Sequence, residues 1–145
     1  MTVMLILLIA SGIRMATPLI FSALGGSFSE RSGVVNIALE GIMIMGAFFS
    51  VLFTDITNMP WIGVLGAMIA GMITALILAF VSIHLKGNQV VVGTAINILA
   101  AGLTSYLLQV IYHRFGQTDM VNDTLAQSPA ALSFLEKIPI VGEKL

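Results

Sequence analysis

Cysteine is absent from the 145 residues and charge is scarce: six Lys or Arg, seven Asp or Glu, and a net charge of −1. The first absence excludes disulfides, thiolate chemistry and cysteine-bound zinc. The second excludes a basic field for nucleic acid, and no run of Lys or Arg forms a tail for anionic lipid. A glycine-rich phosphate loop followed by Lys and Ser or Thr is also missing, as is an HExxH pair, and the two histidines, His84 and His113, lie far apart. Each reads as an interfacial residue near a helix end, so no metal site and no cofactor is expected in this chain. Glu40, with Asn36 one turn earlier, has no second catalytic partner in its own span, which argues against an enzyme.

What is present is apolar surface. Hydrophobic residues make up 58% of the chain and charged ones 9%, and the mean hydropathy is +1.05. A soluble domain carries about a quarter of its residues charged. The solvent is therefore lipid, and the expected fold is all-α, a polytopic integral membrane bundle of about four transmembrane helices.

A spanning helix needs about 20 apolar residues, and four stretches qualify: 3–24, 34–53, 61–85 and 89–112. Together they make residues 1–112 a transmembrane bundle. The apolar start runs past a normal signal core and lacks a positively charged leader, so it reads as a retained first helix. Pro18 is a candidate kink in the first span, and Gly25-Gly26 favours a helix exit. The second span ends at Thr54-Asp55-Ile56-Thr57-Asn58-Met59-Pro60, whose Asn58 and Pro60 are turn and helix-start residues. Trp61 suits the membrane interface, and His84 with Lys86 marks the opposite end of the third span. Gly87-Asn88 reads as a cap for the fourth, which leaves the membrane at Tyr112, His113 and Arg114. Residues 113–145 are expected to be an extracytoplasmic connecting segment. Ser128-Pro129 would open a short helix to Lys137, with Leu132, Phe134, Leu135 and Ile138 resting on the membrane surface or the bundle, and a plain connecting loop is the equal alternative.

The third span carries small residues at every fourth position, Gly63, Ala67, Gly71, Ala75 and Ala79. In lipid such a ridge lets helix backbones approach and gain dispersion contacts. The fourth span has a stripe at the same spacing, Gly93, Asn97, Ala101, Ser105 and Gln109, that is polar as well as small. It either bonds to neighbouring helices or lines a wet path.

Orientation follows from the short loops. Lys86 follows the third span, whereas the loop after the second is acidic and lacks Lys or Arg. The first should be cytoplasmic and the second external. Ser29-Glu30-Arg31-Ser32-Gly33 then forms a cytoplasmic turn, and the N-terminus lies outside.

Polar residues interrupt the apolar pattern at 27–41, where Glu30, Arg31, Asn36 and Glu40 stand at or near membrane depth. Ionisable groups there are costly and face a bundle interior or a solute path. Arg14, near the middle of the first span, has Glu40 as the obvious opposite charge on the next helix, and a buried pair would relieve both. Asn36 and Glu40, four residues apart, share a helix face. For them a structural role and a path-lining role are both open.

These residues also resemble a known family. Thr17-Pro18-Leu19, Ala23-Leu24-Gly25, Ser29-Glu30-Arg31-Ser32-Gly33-Val34-Val35-Asn36-Ile37, Glu40-Gly41 and Gly46-Ala47-Phe48 resemble the opening of bacterial ABC importer permeases of the nucleoside and simple-sugar class. These are related to the ribose and branched-chain amino acid permeases. The segment from Lys86 to Asn97 is similar to the same family's next signature. The resemblance implies a multi-pass subunit in the bilayer of the bacterial plasma (inner) membrane, taking solute from an extracytoplasmic solute-binding protein. It also implies a second permease subunit and a cytoplasmic ABC ATPase that hydrolyses ATP for the complex. The family's ATPase-docking loop lies further along, so the chain reads as an N-terminal fragment, a partial permease domain. Few charges line the spans, which suits a neutral solute. The wording of 29–41 is nearest the nucleoside branch, with sugars next and branched-chain amino acids more distant. A non-transporting membrane scaffold, assembled through the ridge of the third span, is the alternative from another class.

Overall fold

The computed structural model describes residues 2–113 and Gly116, and within them the chain forms four long helices joined by short links. Helix α1 spans Thr2–Arg31, α2 Leu39–Thr57, α3 Pro60–Ala79 with a π turn continuing it over Phe80–His84, and α4 Gln89–Tyr112. All four are long and apolar enough to cross a membrane. The short helix expected near residues 129–137 lies outside the described residues.

Helix α1 continues through Pro18 and past Gly25-Gly26, where the sequence suggested an exit. A glycine inside a helix costs only about 1 kcal/mol relative to alanine, and here it serves packing. A Cβ on Gly26 would come within 3.0 Å of the Leu39 side chain at the start of α2. The helix stops instead at Gly33, whose φ of +86° suits glycine. The Gly33 N–H donates to the Glu30 carbonyl and that of Val34 to Ser29. Glu30 and Arg31 therefore belong to the last turn of α1.

Helix α2 begins five residues later than hydropathy suggests. The Asn36 side-chain oxygen accepts from the Ala38 N–H at 3.1 Å, a local turn that competes with helix. At the far end the sequence reading holds: Asn58 adopts a left-handed conformation, φ 52°, and Pro60 takes the first turn of α3. Asn88 caps α4, its side chain accepting from the Val90 N–H at 3.0 Å. Asn88→Ala should cost about 1 kcal/mol, read as a lower thermal midpoint in detergent, with Asn88→Ser close to the parent.

Helix α2 packs chiefly on α3 and next on α4, whereas α1 has a small contact with α2, where Gly26 meets Leu39. A Cβ on Gly63 would strike the Thr54 hydroxyl and come within 2.7 Å of the Ser50 carbonyl, and one on Gly66 would strike the Phe53 ring. The buried row of α3 is Gly63, Gly66, Ala70, Thr74 and Leu78. Beside it Ala67, Gly71, Ala75 and Ala79 are half-buried. A row spaced by four turns about 40° per step around the helix, so only its beginning coincides with the buried face. Ala67 and Gly71 lie against Gly46 and Ile42 of α2, and Ala75 and Ala79 open on a crevice shared with α1. The core centres on Ala38, Leu78 and Ile96, flanked by Ile42 and Val92.

The links 32–38 and 85–88 share one end of the bundle, because Gln89 bonds to Gly33 and Val35. At the other end the Tyr112 hydroxyl donates to Asp55 at 3.2 Å.

Candidate functional site

Residues 34–38, between α1 and α2, form no helix, yet their backbone groups need partners if they are to lie at membrane depth. Two carboxamides of α4 supply them. Gln89 accepts from the Val35 N–H at 2.8 Å and donates to the Gly33 carbonyl at 3.4 Å. Asn97 accepts from the Gly41 N–H at 2.7 Å and donates to the Ile37 carbonyl at 3.0 Å. A carboxamide carries a donor and an acceptor together, so each side chain satisfies one backbone N–H and one carbonyl. The Gly41 N–H is in the first turn of α2, where helices lack internal partners, and the residue before that helix, Ala38, offers no side-chain cap. Asn97 caps α2 from the neighbouring helix.

This clamp needs close backbones. A Cβ on Gly41 would lie 2.9 Å from the Asn97 oxygen and 3.1 Å from the Ile96 carbonyl, and one on Gly93 would lie 2.9 Å from Ile37 Cβ. Between them Ala38 is wholly buried. The two sequence signatures, one around 29–41 and the other from Lys86 to Asn97, thus meet in space as a single joint.

The candidate residues separate into two groups. Asn36 precedes α2 and does not share a helical face with Glu40, a correction that follows from its turn-forming bond to Ala38. It lines a crevice of about 460 Å³ between α1, α2 and α3, along with Ser22, Ser29 and Ser32. Asn97 is half-buried in the α2–α4 interface. Glu40 is exposed in the first turn of α2, where the helix dipole favours a negative charge.

Arg14 is exposed too, and the structure does not bring it to Glu40. Helix α1 meets α2 at Gly26 and Leu39. Arg14 lies twelve residues from Gly26, about 18 Å along the helix, well beyond the reach of a guanidinium.

Glu40, Ile44, Ala47 and Val51 recur at helical spacing on one face of α2. The last three line a groove of about 390 Å³ against Ala101, Thr104, Ser105 and Leu108 of α4. Ser105 and Gln109 are both exposed. The stripe of α4 therefore starts inside the helix interface at Gly93 and Asn97 and winds out along this groove. A third cavity, about 370 Å³ between α2, α3 and α4, is lined almost wholly by apolar side chains such as Met45, Phe49 and Ile96. Among the described residues no group of His, Asp and Glu is placed to hold a metal ion. The α2–α4 groove is mostly apolar; Ser105 lines it, and Glu40 and Gln109 are exposed polar side chains on the same two helices.

Gln89 escaped sequence reasoning, which treated it as the first residue of a span. Its signal was an amide directly after a capping Asn, where an apolar residue would serve a span better.

Residues 8–141 match the family described as branched-chain amino acid transport system / permease component. The chain is 45% identical over 134 residues to the guanosine ABC transporter permease protein NupQ of Bacillus subtilis, an alignment covering 88% of this chain and 41% of that protein. It is 37% identical over 143 residues to the nucleoside ABC transporter permease protein NupC of Lactococcus lactis, covering 94% and 44%. A putative glucose ABC transporter permease protein, TsgC13 of Haloferax volcanii, is 33% identical, covering 94% and 40%. The chain thus spans less than half the length of these relatives. No solved structure is significantly similar to it.

Proposed function

This chain belongs to the family of branched-chain amino acid transport system permease components, and we propose that it supplies spans of the membrane subunit of an ATP-driven importer for nucleosides. The observation that carries this reading is its similarity, over most of its length, to permeases named for guanosine and for nucleosides. The chain would pair with a second permease subunit, receive solute from an extracytoplasmic binding protein, and leave ATP hydrolysis to a cytoplasmic ABC ATPase in the bacterial plasma membrane. Arg31 and Lys86 lie at the end of the bundle that carries the links, and Asp55 at the other. The charge rule then puts the links in the cytoplasm.

Glu40, Ser105 and Gln109 are the proposed path-lining residues: Ser105 lines the α2–α4 groove, Glu40 stands at helical spacing from the α2 residues that line it, and Gln109 follows Ser105 by one turn. Asn36 and Asn97 instead hold the joint. A nucleoside presents hydroxyls and ring N–H groups, and a carboxylate, acceptor-only when ionised, suits them. ATP-dependent uptake of labelled guanosine into vesicles holding this chain, its permease partner and the ATPase tests the reading; its absence would sink it. Glu40→Gln should cut uptake about tenfold, equivalent to about 1.4 kcal/mol, with assembly intact. Lost assembly would make Glu40 structural, and unchanged uptake would remove it from the path. A simple sugar is the second reading, favoured by the 33% identical relative named for glucose. Competition by excess glucose against guanosine separates the two.

A further inference from the structure

The end of α3 holds a local irregularity that neither the joint nor the groove uses. Over Phe80–His84 the helix widens to a π turn, with the Leu85 N–H donating to the Phe80 carbonyl five residues back at 3.4 Å. No proline or glycine in that turn explains the change. Within it, Ser82 is only 8% exposed, and its hydroxyl is the one buried side-chain polar atom among the described residues without a hydrogen-bond partner. The other buried hydroxyls of the bundle behave differently. Thr54, Thr74 and Thr104 donate to the carbonyls of Ser50, Ala70 and Ala100, four residues back, at 2.8, 2.8 and 2.7 Å. In an α-helical register Ser82 would reach the Leu78 carbonyl in the same way. Single π turns inside α-helices recur at functional sites, and a buried hydroxyl without a partner is rare enough in native folds to require an explanation.

We infer that the end of α3 is a two-register switch, alternating between the π turn of this structure and an α turn in which the Ser82 hydroxyl bonds to the Leu78 carbonyl. The link to α4 is tied to this turn. The Gly87 N–H donates to the Val81 carbonyl at 3.0 Å, and a Cβ on Gly87 would lie 3.2 Å from both Val81 and Val92. A shift in register at Val81 therefore passes through Gly87 to the first turn of α4. There Gln89 grips Gly33 and Val35, and behind them comes the first turn of α2 with Glu40. The switch thus connects the end of α3 to the start of the face proposed to carry solute.

The chain has no cysteine, so two introduced cysteines can be labelled uniquely within it. Spin labels at Ile77 and Val91, both exposed and on either side of the turn, would be measured by electron–electron distance in the vesicle-embedded complex, with and without ATP. Two distance populations are expected, their ratio changing with ATP. Ser82→Ala removes the hydroxyl that rewards the α register and should lower the second population about fivefold or more, whereas Ser82→Thr should keep both. One population under all conditions, or Ser82→Ala populations equal to the parent's, would overturn the switch. Its use in transport rests on the importer reading, but its detection does not. Two populations without guanosine uptake would retain the switch and remove that reading, and uptake with a single population would do the reverse.

Discussion

Asn97→Leu should lower the stability of the bundle by about 2–6 kcal/mol, because two backbone groups lose their partners at about 1–3 kcal/mol each. These are the Gly41 N–H and the Ile37 carbonyl. Hydrogen bonds between side chains of membrane helices average only about 0.6 kcal/mol, since the separated helices find other partners. On that scale the substitution would cost about 1 kcal/mol. The larger figure is expected because the groups left bare are backbone, the Ile37 carbonyl in the non-helical link and the Gly41 N–H in the first turn of α2. The two are four residues apart, and if they bond to each other as an added helical turn the cost falls to the smaller figure. Thermal unfolding in detergent, with proteolysis of the link as a second readout, distinguishes the two. Asn97→Asp should fall between parent and Leu, keeping an acceptor for Gly41 while turning a second oxygen on the Ile37 carbonyl. A Leu variant that melts with the parent would show that Asn97 does not hold the joint.

The four spans were legible because hydropathy over about 20 residues records the solvent directly. The caps at Asn58, Pro60 and Asn88 were legible for a similar reason, as local chemistry that nothing distant overrides. The ends of α1 and α2 were not. Gly25-Gly26 looks like an exit until Leu39 packs on Gly26, and residues 34–38 look helical until Asn36 turns on Ala38. Arg14 and Glu40 were matched by sign and by neighbouring helices, but an antiparallel pair of helices sets Glu40 level with residues near Gly26. Sequence order gives the neighbour and not the depth. The polar stripe of α4 was legible as a stripe, whereas its division between clamp and groove depends on a rotation of about 40° per step that only the packing anchors. Gln89 carried only the small signal of an amide after a capping Asn, and Ser82 nothing that separates it from an ordinary helical serine.

Gly93→Val should overlap the lower half of the Asn97→Leu range by another route. A Cβ at Gly93 would lie 2.9 Å from Ile37 Cβ and 3.2 Å from the Ala38 backbone nitrogen, and Ala38 is already wholly buried. Overpacking costs about 1–3 kcal/mol and occasionally more. The upper end is expected because the obstacle is backbone, which yields less than a flexible side chain. Valine is a better helix former than glycine, but by less than about 1 kcal/mol, so the clash decides the sign. Gly102→Val on the same helix is the control: nothing lies within 4 Å of a Cβ there, so it should be neutral or slightly stabilising. Because Gly93 and Asn97 act on the same short link, pushing it away from α4 already breaks the bonds that Asn97 makes. The double variant should then be less destabilised than the sum of the singles by about 1 kcal/mol or more, whereas independent sites add to within about 0.5 kcal/mol. Additivity would mean that the link stays seated when crowded and that the clamp and the close packing are separate devices. A shortfall would make them one joint, in which the glycine sets the distance at which the carboxamide bonds.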